Sequence, residues 1–254
     1  MWERLHASMR HWGRMVGNGS PGARMLERDC VAAALVPAVP ERSVANSVVY
    51  DSAAGLAAAY DELAAAYDEI GAKWTVWVHP GDAEAAALLE QRGHVLDAEP
   101  EAMAADLRGG VERPAGGALG DWTADGDLAD VGPLNDRAYG LYGDSFARAL
   151  VQLPTDGVAV YTARQGGVPV ACLMTVDLDS NVEIQMVAVV PEARGQGLAG
   201  KLLGHALADA AGRGLETSTL VATQLGRPVY ERAGFRPLGG IQMWERRRPS
   251  SPST

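Results

Sequence analysis

No apolar run in the sequence is long enough to cross a bilayer: the longest, Cys30 to Val39, is broken by Pro37 and falls well short of the ~20 residues a membrane helix needs. No membrane partner is expected. The N-terminus, Met-Trp-Glu-Arg-Leu-His, lacks the basic segment, apolar segment and cleavage site of a secretory signal, so a cytoplasmic location is expected. Cysteine is scarce. Cys30 and Cys172 lie far apart in apolar, strand-like surroundings, which argues against a disulfide framework and for reduced core thiols. The histidines His6, His11, His79, His94 and His205 stand at no metal-ligand spacing, and no metal is expected. Positive charge is also in deficit, with 22 Lys and Arg against 32 Asp and Glu for a net charge of -10. General binding to nucleic acid is therefore disfavoured, and an anionic ligand must be held by a local device.

What is present is the composition of a folded globular protein, 47% hydrophobic and 21% charged. At roughly 100 to 200 residues per domain, 254 residues allow one large domain or two. The Gly- and Pro-rich stretch 109–117 reads as a linker between a domain at 1–108 and another at 118–248, with a disordered tail at 249–254. Periodicity predicts a helix from Trp2 to Val16, strands near Cys30 to Val36 and Ser47 to Tyr50, a helix from Ser52 to Ile70, a strand Trp74 to Val78, and a helix capped by Asp82 that stops at Gly93. After the linker it predicts a helix near Asp127 to Tyr139 and an aromatic-rich connection through Phe146. Three strands in a meander follow, Val158 to Ala163, Val168 to Asp177 and Val182 to Val190. A helix Leu198 to Arg213, a strand Leu215 to Ala222, a short helix Arg227 to Ala233 and a last strand Ile241 to Glu245 complete the second half.

The halves echo each other. Helix, Gly71, strand, helix and Gly93 in the first align with helix, Gly214, strand, helix and Gly234 in the second. One fold used twice is expected.

The most informative segment is Val189-Val-Pro191-Glu-Ala-Arg194-Gly195-Gln196-Gly197-Leu198-Ala199-Gly200-Lys201, where a strand enters a glycine-rich turn and then an amphipathic helix. Backbone N–H groups and the positive end of the helix dipole can hold phosphate there without a basic protein. Gly195, Gly197 and Gly200 fit the dinucleotide fingerprint, but Pro191 to Arg194 intervene after the strand and a meander precedes it. Gly195, Gly200 and Lys201 nearly fit a P-loop, but Leu202 cannot supply the Mg²⁺-binding hydroxyl. The remaining match, Arg194-x-x-Gly197-x-Ala199 after an antiparallel strand, resembles the acyl-CoA pyrophosphate loop of the GNAT superfamily of N-acetyltransferases. Tyr230-Glu-Arg-Ala-Gly234-Phe235 resembles that family's later Tyr-x-x-x-Gly-Phe segment, and together the two cover about residues 158 to 245.

The resemblance implies an α+β fold of tandem GNAT-like domains, each a mixed, mainly antiparallel sheet flanked by helices, with acetyl-CoA as cosubstrate. It implies that backbone groups of Val187, Ala188 and Val189 hold the pantetheine arm and acetyl oxygen, while Arg194, Gly195, Gln196, Gly197, Leu198, Ala199 and Gly200 cradle the pyrophosphate. Thr223 or Gln224 stands where the family often has Asn, and Gln224 is the expected cofactor contact. Tyr230 occupies the position of the acid that protonates the departing thiolate. Glu183, four residues before Val187 and on its face if no bulge intervenes, is a general base, an anion that anchors the substrate, or simply a polar strand residue. Tyr139, Tyr142, Asp144 and Phe146 line the acceptor side, where rings and an acid suit a cationic amine; a buried helix connection is the other reading of that segment. The first half offers no such loop, since Asp51 and the single Gly55 stand in its place and Leu89 stands where Tyr230 does. It is expected to be a degenerate copy that covers the acceptor face or acts as an internal dimer partner.

The expectation is thus an acetyl-CoA-dependent N-acetyltransferase acting on a small-molecule or peptide amine, as a monomer with an intramolecular pseudo-dimer or as a homodimer. A non-catalytic acyl-CoA sensor is the alternative. The acceptor itself is not legible, because acceptor pockets are built from variable loops.

Overall fold

A computed structural model describes residues 1–112, 121–123, 126–141 and 144–247. Linker residues 113–117, Tyr142 and the tail 249–254 lie outside the described residues. In chain order the elements are α1 (Trp2–Val16), β1 (Arg24–Arg28), β2 (Val31–Leu35), β3 (Ser47–Tyr50), α2 (Ala53–Glu69), β4 (Trp74–Val78), α3 (Ala83–Gln91), β5 (Val95–Ala98) and β6 (Glu101–Asp106). They continue with β7 (Asp121–Thr123), α4 (Leu128–Ala138), α5 (Ser145–Leu150), β8 (Val158–Gln165), β9 (Val168–Leu178) and β10 (Asn181–Val189). The last are α6 (Leu198–Gly212), β11 (Thr217–Ala222), α7 (Arg227–Arg232), β12 (Arg236–Gly240) and β13 (Gln242–Arg246).

Helix starts follow side-chain caps. Ser52 accepts from the Gly55 N–H before α2, Asp82 from Ala85 before α3, and Asp127 from Ala129 before α4, each satisfying a donor the helix leaves open. On α2 the residues Leu56, Tyr60, Leu63 and Tyr67 recur at helical spacing and are all buried, so its apolar stripe faces a sheet.

Two compact units result. One comprises residues 9–100 with the C-terminal stretch from Gly240, the other residues 1–8 and 101–239, so α1 begins in one and ends in the other. The first holds a six-stranded sheet in the order β1-β2-β3-β4-β13-β5, antiparallel except where β3 runs parallel to β4. Its core is aromatic: Tyr67 stacks on Trp74 at 4.7 Å, and His94 meets Trp74 edge-on at 4.6 Å. Burial pushes His94 down to about 4, so the neutral ring bonds the Tyr60 hydroxyl and the Trp244 carbonyl, each at 3.0 Å.

The second unit holds a seven-stranded sheet in the order β12-β6-β11-β10-β9-β8-β7, where β10 and β11 are parallel. Helix α4 packs on β8, β9 and β10, as α6 also does. Position by position, β1, β2, β3, α2, β4, α3 and β5 of the first unit match β8, β9, β10, α6, β11, α7 and β12 of the second. The fold is used twice, as tandem GNAT-like α+β domains.

The expected boundaries at 108 and 118 require correction. Strand β6, within the expected first domain, lies between β11 and β12 of the second sheet, and β13, within the expected second, lies between β4 and β5 of the first. The physical reason is backbone pairing. In each unit the last strand of the repeat stands one position away from its predecessor, and the inserted strand satisfies both open edges. Sequence reading also passed over β1, β5, β7, β12 and α5. β6, Glu-Ala-Met-Ala-Ala-Asp, has no β-branched residue and becomes a strand through its register with β11.

Candidate active site

The parallel pair β10 and β11 is joined at only three rungs, Asn181 to Thr217, Val182 to Ser218 and Glu183 to Thr219. Beyond them β10 continues to Val189 paired with β9, and β11 continues to Ala222 paired with β6. Two strands that stop pairing leave facing edges of backbone donors and acceptors, which is a slot for a ligand that can add hydrogen bonds. Glu183 stands at its vertex, on the last shared rung.

Glu183 is 1% exposed, and among the described residues neither carboxylate oxygen has a partner in hydrogen-bond geometry. Burial pushes its carboxyl up to about 8, opposed in part by the Gln185 side chain. Asn181, two residues earlier and so on the same face, gives its amide to the hydroxyls of Ser8 and Thr219 and accepts from Thr217. The expected alignment of Glu183 with Val187 requires correction. Met186 adopts φ +52°, and the register to β9 passes from Gln185 opposite Met174 to Ala188 opposite Cys172, three residues against two. This bulge returns Ala188 rather than Val187 to the face of Glu183. Val187, Ala188 and Val189 lie beyond the last rung, with the Val189 carbonyl accepting from Arg194 at 3.3 Å.

The loop after β10 makes a single 3₁₀ turn, Pro191–Ala193, and then reverses direction through Gly195 at φ +79° and Gly197 at φ +74°. Those values are strained for any residue with a Cβ. A Cβ at either glycine would meet no atom within 4 Å, so the glycines serve the turn and leave open space before it. Gly197 caps α6 without a side-chain bond, and the N–H groups of Leu198, Ala199 and Gly200 have no protein acceptor among the described residues. Fifteen helical residues stand behind them, giving a dipole whose positive end suits an anion. Leu198 points into the core, Ala199 and Gly200 offer backbone, and Gln196 accepts from the Gln165 amide at 2.7 Å. Arg194 donates to the Ala138 carbonyl at 2.6 Å, so its guanidinium braces the turn against the end of α4.

Tyr230, on α7, is buried with its ring edge-on to Phe235 at 5.9 Å. A Cβ at Gly226 would come 3.2 Å from its ring, so that glycine permits the close approach. Burial, and secondarily Tyr139, raise the Tyr230 phenol and keep it protonated. Thr223 accepts from the Gly226 N–H at 3.2 Å, so Thr223 closes the turn while Gln224 stays exposed.

On the other expected wall, α4 and α5 meet backbone to backbone: a Cβ at Gly132 would lie 2.4 Å from the Ala147 nitrogen. Tyr139 and Asp144 flank the connection and are exposed, Asp144 at φ +52° with no capping bond, whereas Phe146 is half-buried with its N–H on the Asp136 carboxylate at 3.1 Å. Tyr142 lies outside the described residues. Sequence reading missed Asn135, a buried amide in α4; a polar residue directly beside the apolar Val131 and Leu134 was the available signal.

The counterpart in the first unit is closed. Only Asp51 and Ser52 separate β3 from α2, and Ser52 itself occupies the Gly55 N–H. A Cβ at Gly55 would meet that of Cys30 at 2.3 Å, Asp51 pairs with Arg10 at 2.9 Å, and Tyr50 bonds Asp82 at 2.7 Å. Leu89 is wholly buried.

Residues 128–235 match the profile of the Acetyltransferase (GNAT) family. Among solved structures, a GCN5-related N-acetyltransferase from Kribbella flavida superposes with a TM-score of 0.67 at 16% identity, covering 96% of each chain. One from Sphaerobacter thermophilus gives 0.61 at 15% identity over 95% of this chain and 93% of that one. A tandem GNAT protein from the clavulanic acid biosynthesis pathway gives 0.56 at 16% over 87% of this chain and 79% of that one. No curated protein matches the sequence. The family profile thus falls on the half that carries the glycine turn, and the half that lacks the turn repeats the same fold.

Proposed function

We propose that the chain is an acetyl-CoA-dependent N-acetyltransferase with one working site, in the second unit, acting on a primary amine by direct attack in a ternary complex. The observation that carries this reading is the coincidence of an open, positive-φ glycine turn at the head of α6 with the unpaired edges of β10 and β11. These residues fit the cosubstrate: N–H groups of Gly195 to Gly200 for the pyrophosphate, and the free edge of β10 at Val187, Ala188 and Val189 for the pantetheine arm. Gln224 adds a polar contact from the β11–α7 loop. When bound, acetyl-CoA supplies an activated acetyl thioester.

The chain's own groups supply the rest. Backbone donors on the β10 edge hold the acyl oxygen and strengthen their contact as charge develops there. Glu183 takes the proton of the incoming amine, directly or through a water; as an anchoring anion it would instead hold the ammonium form. Both roles need the ionised carboxylate, which becomes the major form only above about pH 8. Tyr230, held protonated by burial, returns a proton to the departing sulfur. Tyr139 and Asp144, with Tyr142 and Phe146, receive a cationic small-molecule or peptide amine. No metal takes part. The setting is cytoplasmic, and the molecule works as a monomer with an internal pseudo-dimer or as a homodimer.

The test is an amine panel with acetyl-CoA and thiol detection. Thiol release above background with any amine supports the enzyme. CoA binding without release across the panel favours the alternative, an acyl-CoA sensor.

A further inference from the structure

Met186 is the one residue of β10 in the left-handed region, and a side chain there costs about 1–2 kcal/mol unless neighbours hold it. Two groups do. Its carbonyl accepts from the Asn135 amide at 3.2 Å and faces the Cys172 thiol at 3.4 Å. Asn135 also gives the amide to the Val131 carbonyl one helical turn back, at 2.9 Å. Both oxygens accept only, so the NH₂ end of Asn135 must face them and the side chain has one possible orientation. Asn135 is 3% exposed and Cys172 wholly buried, so no water competes for the Met186 carbonyl. Cys172 is also the β9 partner of Ala188, where regular pairing resumes.

We propose that Asn135, assisted by Cys172, is a positioning residue: it pins the Met186 carbonyl toward α4 and β9, fixes the bulge, and thereby sets the direction of the β10 edge at Val187 to Val189. This inference rests on the acetyltransferase reading, in which that edge holds the acyl oxygen. Asn135 touches no reacting atom in this scheme. The glycine turn and the Arg194 brace lie outside its contacts, so nucleotide binding is separable from acyl alignment.

The test compares wild type with Asn135→Asp, which keeps the shape but leaves at most one donor for the two carbonyls, and with Cys172→Ala, which removes the second contact. Amide hydrogen exchange over residues 184–190 is read without ligand, alongside CoA affinity and steady-state kinetics. Expected are faster exchange at Met186 to Val189 by about 10-fold or more in Asn135→Asp, little change in the Kd for CoA, and a fall in kcat of about 10- to 100-fold with a near-constant KM for acetyl-CoA. Cys172→Ala should show the same pattern more weakly, and it keeps the test informative if Asn135→Asp fails to fold. Unchanged exchange over 184–190 in the folded variants overturns the inference, as does a kcat loss accompanied by an equal loss of CoA affinity. If exchange rises while wild type itself never releases thiol, the pinning of the bulge stands and the acetyltransferase reading is what fails.

Discussion

A carboxyl whose burial outweighs what its neighbours offer is held mostly neutral by its surroundings, and Glu183 is such a group at the vertex of the slot. Its ionisation is favoured in the unfolded chain and opposed in the folded one, so its contribution to stability is whole below about pH 4.5 and is lost as pH rises toward 8. Glu183→Gln should therefore match wild type in Tm near pH 4.5 and exceed it increasingly up to pH 8, as thermal melts across that range would show. If Glu183 is the base, wild-type kcat should rise with pH, reach half its maximum near pH 8 and level off above that, and Glu183→Gln should lower it by about 10²-fold or more with loss of that profile. A KM effect on the amine alone would mark an anchor instead. Tyr230→Phe keeps the packing on Phe235 and removes only the hydroxyl, so kcat should fall by about 10²-fold with little change in Tm. The best amine from the panel provides the assay for both.

At the scale of elements, the two halves differ most at the entry to their long helices. In the second, the loop from Val190 to Gly197 leaves the first turn of α6 open; in the first, Ser52 and the Gly55–Cys30 contact fill the same place. Gly197→Val should raise the Kd for CoA by about 10-fold or more, because the left-handed backbone of residue 197 penalises a β-branched side chain and the turn that presents the N–H groups relaxes. Calorimetric titration with CoA checks this. The equivalent change at Gly55 should leave CoA binding untouched and lower Tm, since a Cβ there meets Cys30. The glycines, the capping residue Asp82, and the helix and meander ranges were legible because they are local signals read within a few residues. The bulge was not: Met186 carries no turn residue's signature, and the groups that hold it, Asn135 and Cys172, are remote in sequence.

For the whole molecule, the exchanged strands decide what can be cut. Deleting residues 1–110 removes β6 from between β11 and β12, so the remainder should fail to fold cooperatively, which circular dichroism and a thermal melt would reveal. Such a failure reports on β6 and not on any service of the first unit to the acceptor. Truncation after Gly239 removes β13, the Trp244 carbonyl that holds His94, and the partner of β4. It should expose Trp74, seen as a red shift in tryptophan emission, and lower Tm. The sequence by itself determined the glycine turn, the Tyr-x-x-x-Gly-Phe segment and the repeat, because each depends on residue type at short spacing. Only the tertiary structure decided that β6 and β13 change places, that a bulge breaks the parity between Glu183 and Val187, and that Glu183 is buried. Strand order, register and desolvation are set by backbone partners far apart in the chain, and no local pattern records which partner a strand will find.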